Sequence, residues 1–272
     1  MIPFVKAHAC GNDFLIVEES AAGRDRAALA RKLCARNTSI GADGIEFLER
    51  RAEGEFFLRL FNADGSEAEL SGNGTRCVAA WLRKSEGLVQ VALGTHGGVR
   101  TCRVVSTANP QYGIESEMGV PRVMPRTIVV EGVGEVTGAM VNVGNPHFVL
   151  FVDTHTGDAD DFSAYGLSWQ ELGKRISTSP LFRHGTNVEF VRVLTEAEIA
   201  FRIYERGCGP TTSSGTGTCA ASAASMILRG AGRELTAFAQ GGPQYTVWPA
   251  NDAAMLLTGP AEIICQGEAF GL

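Results

Sequence analysis

The feature that most constrains this chain is that it is written twice. Laying residues 42–87 over residues 185–230 aligns FFLRLFN (56–62) with IAFRIYE (199–205), IEF (45–47) with VEF (188–190), and SGNGTRCVAAWL (71–82) with SGTGTCAASAAS (214–225). All three matches share one offset of 143 residues, so a single register serves a long segment of each half. GNDFLIV (11–17) also matches GNPHFVLFV (144–152), at a shifted offset of 133 or 134 that marks an insertion. Each half therefore runs in the same order: a Gly-Asn turn, a helical stretch, a strand, then a Gly-rich loop opening a helix.

The elements follow from local pattern. Residues 25–36 (DRAALARKLCAR) and 75–87 (TRCVAAWLRKSEG) carry apolar residues at spacings of three and four, and the second closes on basic residues and Gly87, a normal helix stop. Apolar and polar residues alternate in FFLRLFN and IAFRIYE. Val- and Thr-rich runs at 99–107, 112–120, 126–132 and 139–144 add further strand candidates. Strands predominate, and the expected fold class is α+β: two similar domains related by pseudo-twofold symmetry, mixed strands around a helix, with an active-site cleft between them. The VPRVMP stretch at 120–125 divides them into domains over 1–120 and 121–261. TGPAEIICQGEAF (258–270) reads as one more strand pair, so that 262–272 could return to the first domain.

Composition limits the function. The chain has 272 residues, 44% of them apolar and 20% charged, with 33 glycines, as in a soluble, turn-rich globular protein. A net charge of −6 without a Lys/Arg run argues against nucleic acid as a partner. No signal peptide opens the chain and no apolar run could cross a bilayer, so neither secretion nor a membrane partner is expected and the cytoplasm is the expected compartment. Seven cysteines without CxxC pairs argue against a zinc site or a disulfide framework.

The Gly-rich loops carry the chemistry. Ser71-Gly72-Asn73-Gly74-Thr75 and Ser214-Gly215-Thr216-Gly217-Thr218 each follow a strand and open a helix, where free N–H groups and the helix dipole favour an anion. Neither has the lysine of a nucleotide P-loop or the spacing of a dinucleotide fingerprint. Glu69 and Thr212 stand where a serine-hydrolase elbow needs its first glycine. One such loop is usually a structural turn; two in one register point to a ligand that meets both.

Taken together, ACGNDF (9–14), GADG (41–44), FNADGSEAEL (61–70), SGNGTRC (71–77), NVGNPH (142–147), TNVEF (186–190), YERG (204–207), SGTGTCAA (214–221) and TGPAE (258–262) resemble the diaminopimelate epimerase family, in its order and along nearly the whole chain. The resemblance implies an isomerase of lysine biosynthesis, interconverting LL- and meso-diaminopimelate with no cofactor and no metal. It also implies a small-molecule amino-acid substrate and a homodimer. It assigns Asn12, Asn62, Asn145, Asn187 and Arg206 to the distal amino-acid end, and Gly72, Asn73, Gly215 and Thr216 to the proximal carboxylate. Glu205 and His147 flank the reacting centre, with Glu205 also touching substrate.

The departure lies at the reacting positions. Inversion at Cα without pyridoxal phosphate needs one group to remove a weakly acidic proton and another to deliver one to the opposite face. Cysteine suits this, since a helix start brings its thiol toward neutrality. Here Ser71 and Ser214 occupy the family's two cysteine positions. Cys77 and Cys219 lie on the helices that follow, but at the shared offset they pair with Ala220 and Arg76, so they are not repeat mates. Two readings follow: an epimerase working with serines at catalytic positions Ser71 and Ser214 alongside Glu205 and His147, or a weak or inactive homologue that binds diaminopimelate or another amino acid.

Overall fold

The structure, a computed structural model, describes residues 1–52, 54–152 and 160–270. The chain divides into two compact units, Met1–Glu117 with Thr258–Leu272, and Met118–Leu257. The fold is α+β and strand-rich, with four α-helices among the described residues.

In the first unit, β1 (Ile2–Ala9) and β2 (Asn12–Glu18) form a hairpin, and α1 (Arg26–Leu33) carries the chain to β3 (Gly44–Arg50), parallel to β2. β4 (Phe56–Asn62) returns antiparallel to β3, and β5 (Glu67–Ala68) leads into α2 (Gly72–Glu86). β6 (Gln90–Gly94), β7 (Arg100–Ala108) and β8 (Gln111–Glu117) complete the run. The second unit repeats the scheme after an added strand, β9 (Arg122–Val130). The hairpin of β10 (Gly134–Asn142) and β11 (Pro146–Phe151), the helix α3 (Trp169–Ser177), and β12 (Asn187–Thr195) parallel to β11 match β1 to β3. Then come β13 (Glu198–Glu205), β14 (Gly209–Thr211), α4 (Gly215–Leu228), β15 (Glu234–Ala239) and β16 (Gly242–Val247). Gly72 and Gly215, the first residues of α2 and α4, lie at the 143-residue offset read from sequence.

Each unit uses both faces of its sheet. Ile45 and Phe47 of β3 pack with Leu29, Ala30 and Leu33 of α1, while Leu48 packs with Val78 and Ala79 of α2. Because side chains alternate along a strand, Glu46 shares the α2 face with Leu48. In β12, Val188 and Phe190 meet Leu172 and Ile176 of α3, whereas Val191 meets α4, so Glu189 shares the α4 face. The two central helices are wrapped by strands, and α4 is buried without a break from Gly217 to Met226. A helix enclosed on every side needs small residues, which CAASAAS supplies.

Three elements depart from their sequence reading. The helix expected over 25–36 stops at Leu33, because Arg36 turns out of it to bond Asp13 and Asp43. The helix expected from Thr75 starts at Gly72, because the Ser71 hydroxyl accepts the Gly74 N–H and caps it. The segment expected to form a strand pair at 258–270 is one strand, β17 (Leu256–Ala269), paired with β1 from Ile2↔Ala269 to His8↔Glu262. Gly267 is not a turn there: it lies extended opposite Phe4, whose ring occupies the space a Cβ would take. Among the described residues, no helix is long and apolar enough to cross a membrane.

Enclosure of α4 makes its alanines sensitive to size. Ala223→Leu is expected to destabilise the protein by about 1–3 kcal/mol through overpacking. Urea unfolding checks this, and an unchanged midpoint contradicts the packing described.

Candidate active site

In the first unit the site is built on the start of α2. Ser71 is its N-cap in extended conformation, with Oγ accepting the Gly74 N–H at 3.0 Å. Asn73 follows, buried, and a hydrogen-bonded chain runs outward from it. Arg76 Nη2 donates to Asn73 Oδ1, Asn73 Nδ2 to Asn12 Oδ1 at 3.1 Å, and Asn12 Nδ2 to Asp43 Oδ2 at 2.7 Å. Arg36 ties Asp43 (2.6 Å) to Asp13 (2.7 Å), and Lys6 closes on Asp13 at 3.1 Å. Burial opposes the charge of Asp13, yet Arg36 and Lys6 hold its carboxyl below the usual range, and the two aspartates hold the Arg36 guanidinium firmly protonated. Asn62, at the end of β4, donates to the Ser66 hydroxyl at 2.9 Å.

Glu46 lies under the same helix start. It is fully buried, its Oε1 has no hydrogen-bond partner among the described residues, and burial raises its carboxyl to about 8. A Cβ on Gly74 would collide with that oxygen, so the glycine is what lets the carboxyl approach the loop.

The second unit repeats the cap with different neighbours. Ser214 Oγ accepts the Gly217 N–H at 3.2 Å and lies 3.4 Å from Thr216 Oγ1. Glu205 is the repeat mate of Asn62. Burial raises its carboxyl, while the hydroxyls of Thr211 and Ser214 beside it pull the other way. A second chain leads to Thr216: Glu189 Oε1 lies 2.6 Å from His147 Nδ1, His147 Nε2 lies 2.8 Å from Asn145 Oδ1, and Asn145 Nδ2 donates to Thr216 Oγ1 at 3.3 Å. Since Asn145 Oδ1 can only accept, Nε2 carries a proton. The Glu189 carboxyl is raised by burial, with His147 opposing. Asn187 Oδ1 accepts the Arg206 N–H at 2.9 Å, which sets the Arg206 backbone, while the exposed guanidinium touches the His184 carbonyl at 3.3 Å.

The residues singled out from sequence thus fall into two groups, one per unit. Ser71, Gly72, Asn73 and Asn12 are joined around α2, with Asn62 at the end of the neighbouring β4. Ser214, Gly215, Thr216, Glu205, Asn145 and His147 gather around α4, with Asn187 and Arg206 on adjoining strand ends. His147 is joined to Ser214 through Asn145 and Thr216. Sequence reasoning missed Glu46, Glu189 and the Arg36–Asp13–Asp43 cluster. A signal for the glutamates was present, because the aligned IEF and VEF segments put one acidic residue at the same place in two apolar strands. Cys77 is fully buried and its thiol is pushed up by that burial, which removes it as a thiolate source.

The fold is shared with solved racemases and epimerases and with a phenazine biosynthesis protein of the PhzF family from Bacillus anthracis. A probable proline racemase from Agrobacterium radiobacter, solved with bound carbonate, is 15% identical with a TM-score of 0.70 over 99% of this chain and 93% of its own. A hydroxyproline epimerase from Agrobacterium vitis, solved with bound trans-4-hydroxy-L-proline, is 14% identical with a TM-score of 0.69 over 98% and 90%. The chain belongs to the diaminopimelate epimerase family, whose model matches residues 4–124 and 139–264. The diaminopimelate epimerase of Pelotomaculum thermopropionicum is 36% identical over 97% of this chain and 98% of its own length.

The Glu46 carboxyl has a measurable consequence. Its folded value lies above its ordinary value of 4.5, so the folded chain keeps a proton that the unfolded chain has released, and the stability this confers below pH 4.5 is lost as pH rises toward 8. The melting temperature of Glu46→Gln relative to the parent is therefore expected to climb between pH 5 and pH 8. A difference that stays constant over that range contradicts the burial of an ionisable carboxyl.

Proposed function

We propose that the protein is a diaminopimelate epimerase-type isomerase that interconverts LL- and meso-diaminopimelate by proton transfer at Cα, without a cofactor. The family match carries this reading, because it runs through both Ser-Gly-x-Gly-Thr loops at 36% identity to a diaminopimelate epimerase. The N–H groups of Gly72, Asn73, Gly215 and Thr216 would hold the carboxylate beside the reacting carbon, as helix starts hold anions. Asn12, Asn62, Asn145, Asn187 and Arg206 would grip the far amino-acid end, where the exposed Arg206 guanidinium suits a carboxylate.

A serine hydroxyl is too weak an acid to act as an anion by itself, but Ser214 does not stand by itself. The neighbouring Glu205 supports a relay in which Ser214 Oγ takes the Cα proton while its own proton passes to the Glu205 carboxylate. Ser71 delivers a proton to the opposite face. His147 acts at a distance, fixing Asn145 and through it Thr216. The loss of both cysteines favours a second reading, a homologue that binds diaminopimelate or another amino acid and turns it over weakly or not at all.

Proton NMR of LL-diaminopimelate in heavy water separates these readings. The purified protein is expected to wash deuterium into Cα and to form the meso isomer, and Glu205→Gln to abolish both. Ser71→Cys combined with Ser214→Cys is expected to raise the rate by orders of magnitude. Saturable binding by calorimetry with no deuterium incorporation in either form would establish the binder.

A further inference from the structure

The two serines have unequal surroundings. Beside Ser214 stands Glu205, which can take up and return a proton. Its repeat mate in the first unit is Asn62, an amide committed to Ser66 and unable to exchange protons at working pH. Ser71 accepts the Gly74 N–H, so its hydroxyl has a proton to give, yet after giving it nothing at the Asn62 position can replace it.

Glu46 is the carboxyl that reaches this loop. It shares the α2-facing side of β3 with Leu48, its strand partners are the apolar Ile16 and Leu60, and its Oε1 presses against Gly74, the residue whose N–H holds Ser71 Oγ. Its repeat mate Glu189 occupies the corresponding place under α4, but there His147 covers one oxygen. By strand register the counterpart of His147 is Phe14, since Phe14 pairs with Gly44 as His147 pairs with Asn187. A ring without polar atoms offers Glu46 nothing, and its Oε1 has no partner among the described residues. Cys77, on the next turn of α2, and Arg76, bonded to Asn73, are the other titratable or charged groups on that helix near it.

We propose that Glu46 is the proton-holding residue of the first repeat, acting through Ser71 across the space that Gly74 leaves open. This rests on the reading of Ser71 as a proton-transfer position. When the Ser71 hydroxyl gives its proton to Cα, the Glu46 carboxylic acid restores it and becomes a carboxylate. In the reverse direction Ser71 Oγ takes the Cα proton and its own passes to the Glu46 carboxylate. Glu46 and Glu205 then work in opposite states, one protonated while the other is ionised, and exchange those states with each inversion. Burial keeps the Glu46 proton in place near neutral pH, as a donor requires.

The test reads position 71 without relying on turnover. In Ser71→Cys, iodoacetamide alkylation of the introduced thiol is followed from pH 6 to pH 10 by peptide mass mapping, which separates it from exposed Cys208 and Cys265. With Glu46 present the rate is expected to rise in two coupled steps. In Ser71→Cys with Glu46→Gln it is expected to rise in one step, at least threefold faster at pH 9, where the Glu46 charge no longer opposes the thiolate. Ser71→Cys with Glu46→Leu, an apolar filling of a buried site, is expected to behave like the Gln variant and covers the case in which Gln fails to fold. Superimposable profiles with and without Glu46 overturn the proposal. In the serine protein, Glu46→Gln is expected to slow formation of the meso isomer at least tenfold without raising KM. A parent protein silent in deuterium wash-in refutes the epimerase reading, and the thiol profiles then still decide whether Glu46 exchanges protons with position 71.

Discussion

The hydrogen bond from a backbone N–H to a serine hydroxyl at the first turn of a buried helix organises both units. Gly74 donates to Ser71 and Gly217 to Ser214, and each bond fixes where a central helix begins and which N–H groups remain open. A helix start inside a protein leaves donors that must be satisfied, and one serine satisfies one of them. The rest stay available to an anion. The same hydroxyl that caps the helix is the group proposed to transfer the proton, so on that reading helix geometry and chemistry meet at one atom in each unit.

Around those atoms the amides are already spoken for. Asn73 and Asn12 are linked to each other and to Arg76 and Asp43, and Asn145 is pinned between His147 and Thr216. The chain in the first unit gives Asn12 and Asn73 one orientation each, because reversing either would set donor against donor. On the proposed reading, each amide would have only its remaining hydrogen or lone pair to offer a ligand. A binding group held this way loses little freedom when the ligand arrives.

Much of this was legible in sequence where a pattern has one physical meaning. Alternation in FFLRLFN and IAFRIYE produced strands, Gly87 closed α2, and the repeated loops placed two helix starts at a fixed offset. Legibility failed where a local signal was answered by a distant partner. The strand pair expected over 258–270 is a single strand because β1 pairs along it, with the Phe4 ring beside Gly267, and Arg36 leaves its helix for two aspartates, one 23 residues away in sequence. Glu46 fails differently: taken alone, an acidic residue within an apolar strand reads as an outward-facing charge, and only α2 packed over the face it shares with Leu48 turns it inward.

The pairing of β1 with β17 also sets an order of events in synthesis. Residues 118–257 form a continuous unit whose strands find their partners among residues already made. The first unit needs the strand over 262–269 to cover β1, so its sheet stays open along that edge until those residues have left the ribosome. The second-made unit is thus the first that can close, and in the meantime β1, paired with β2 alone, presents one open edge.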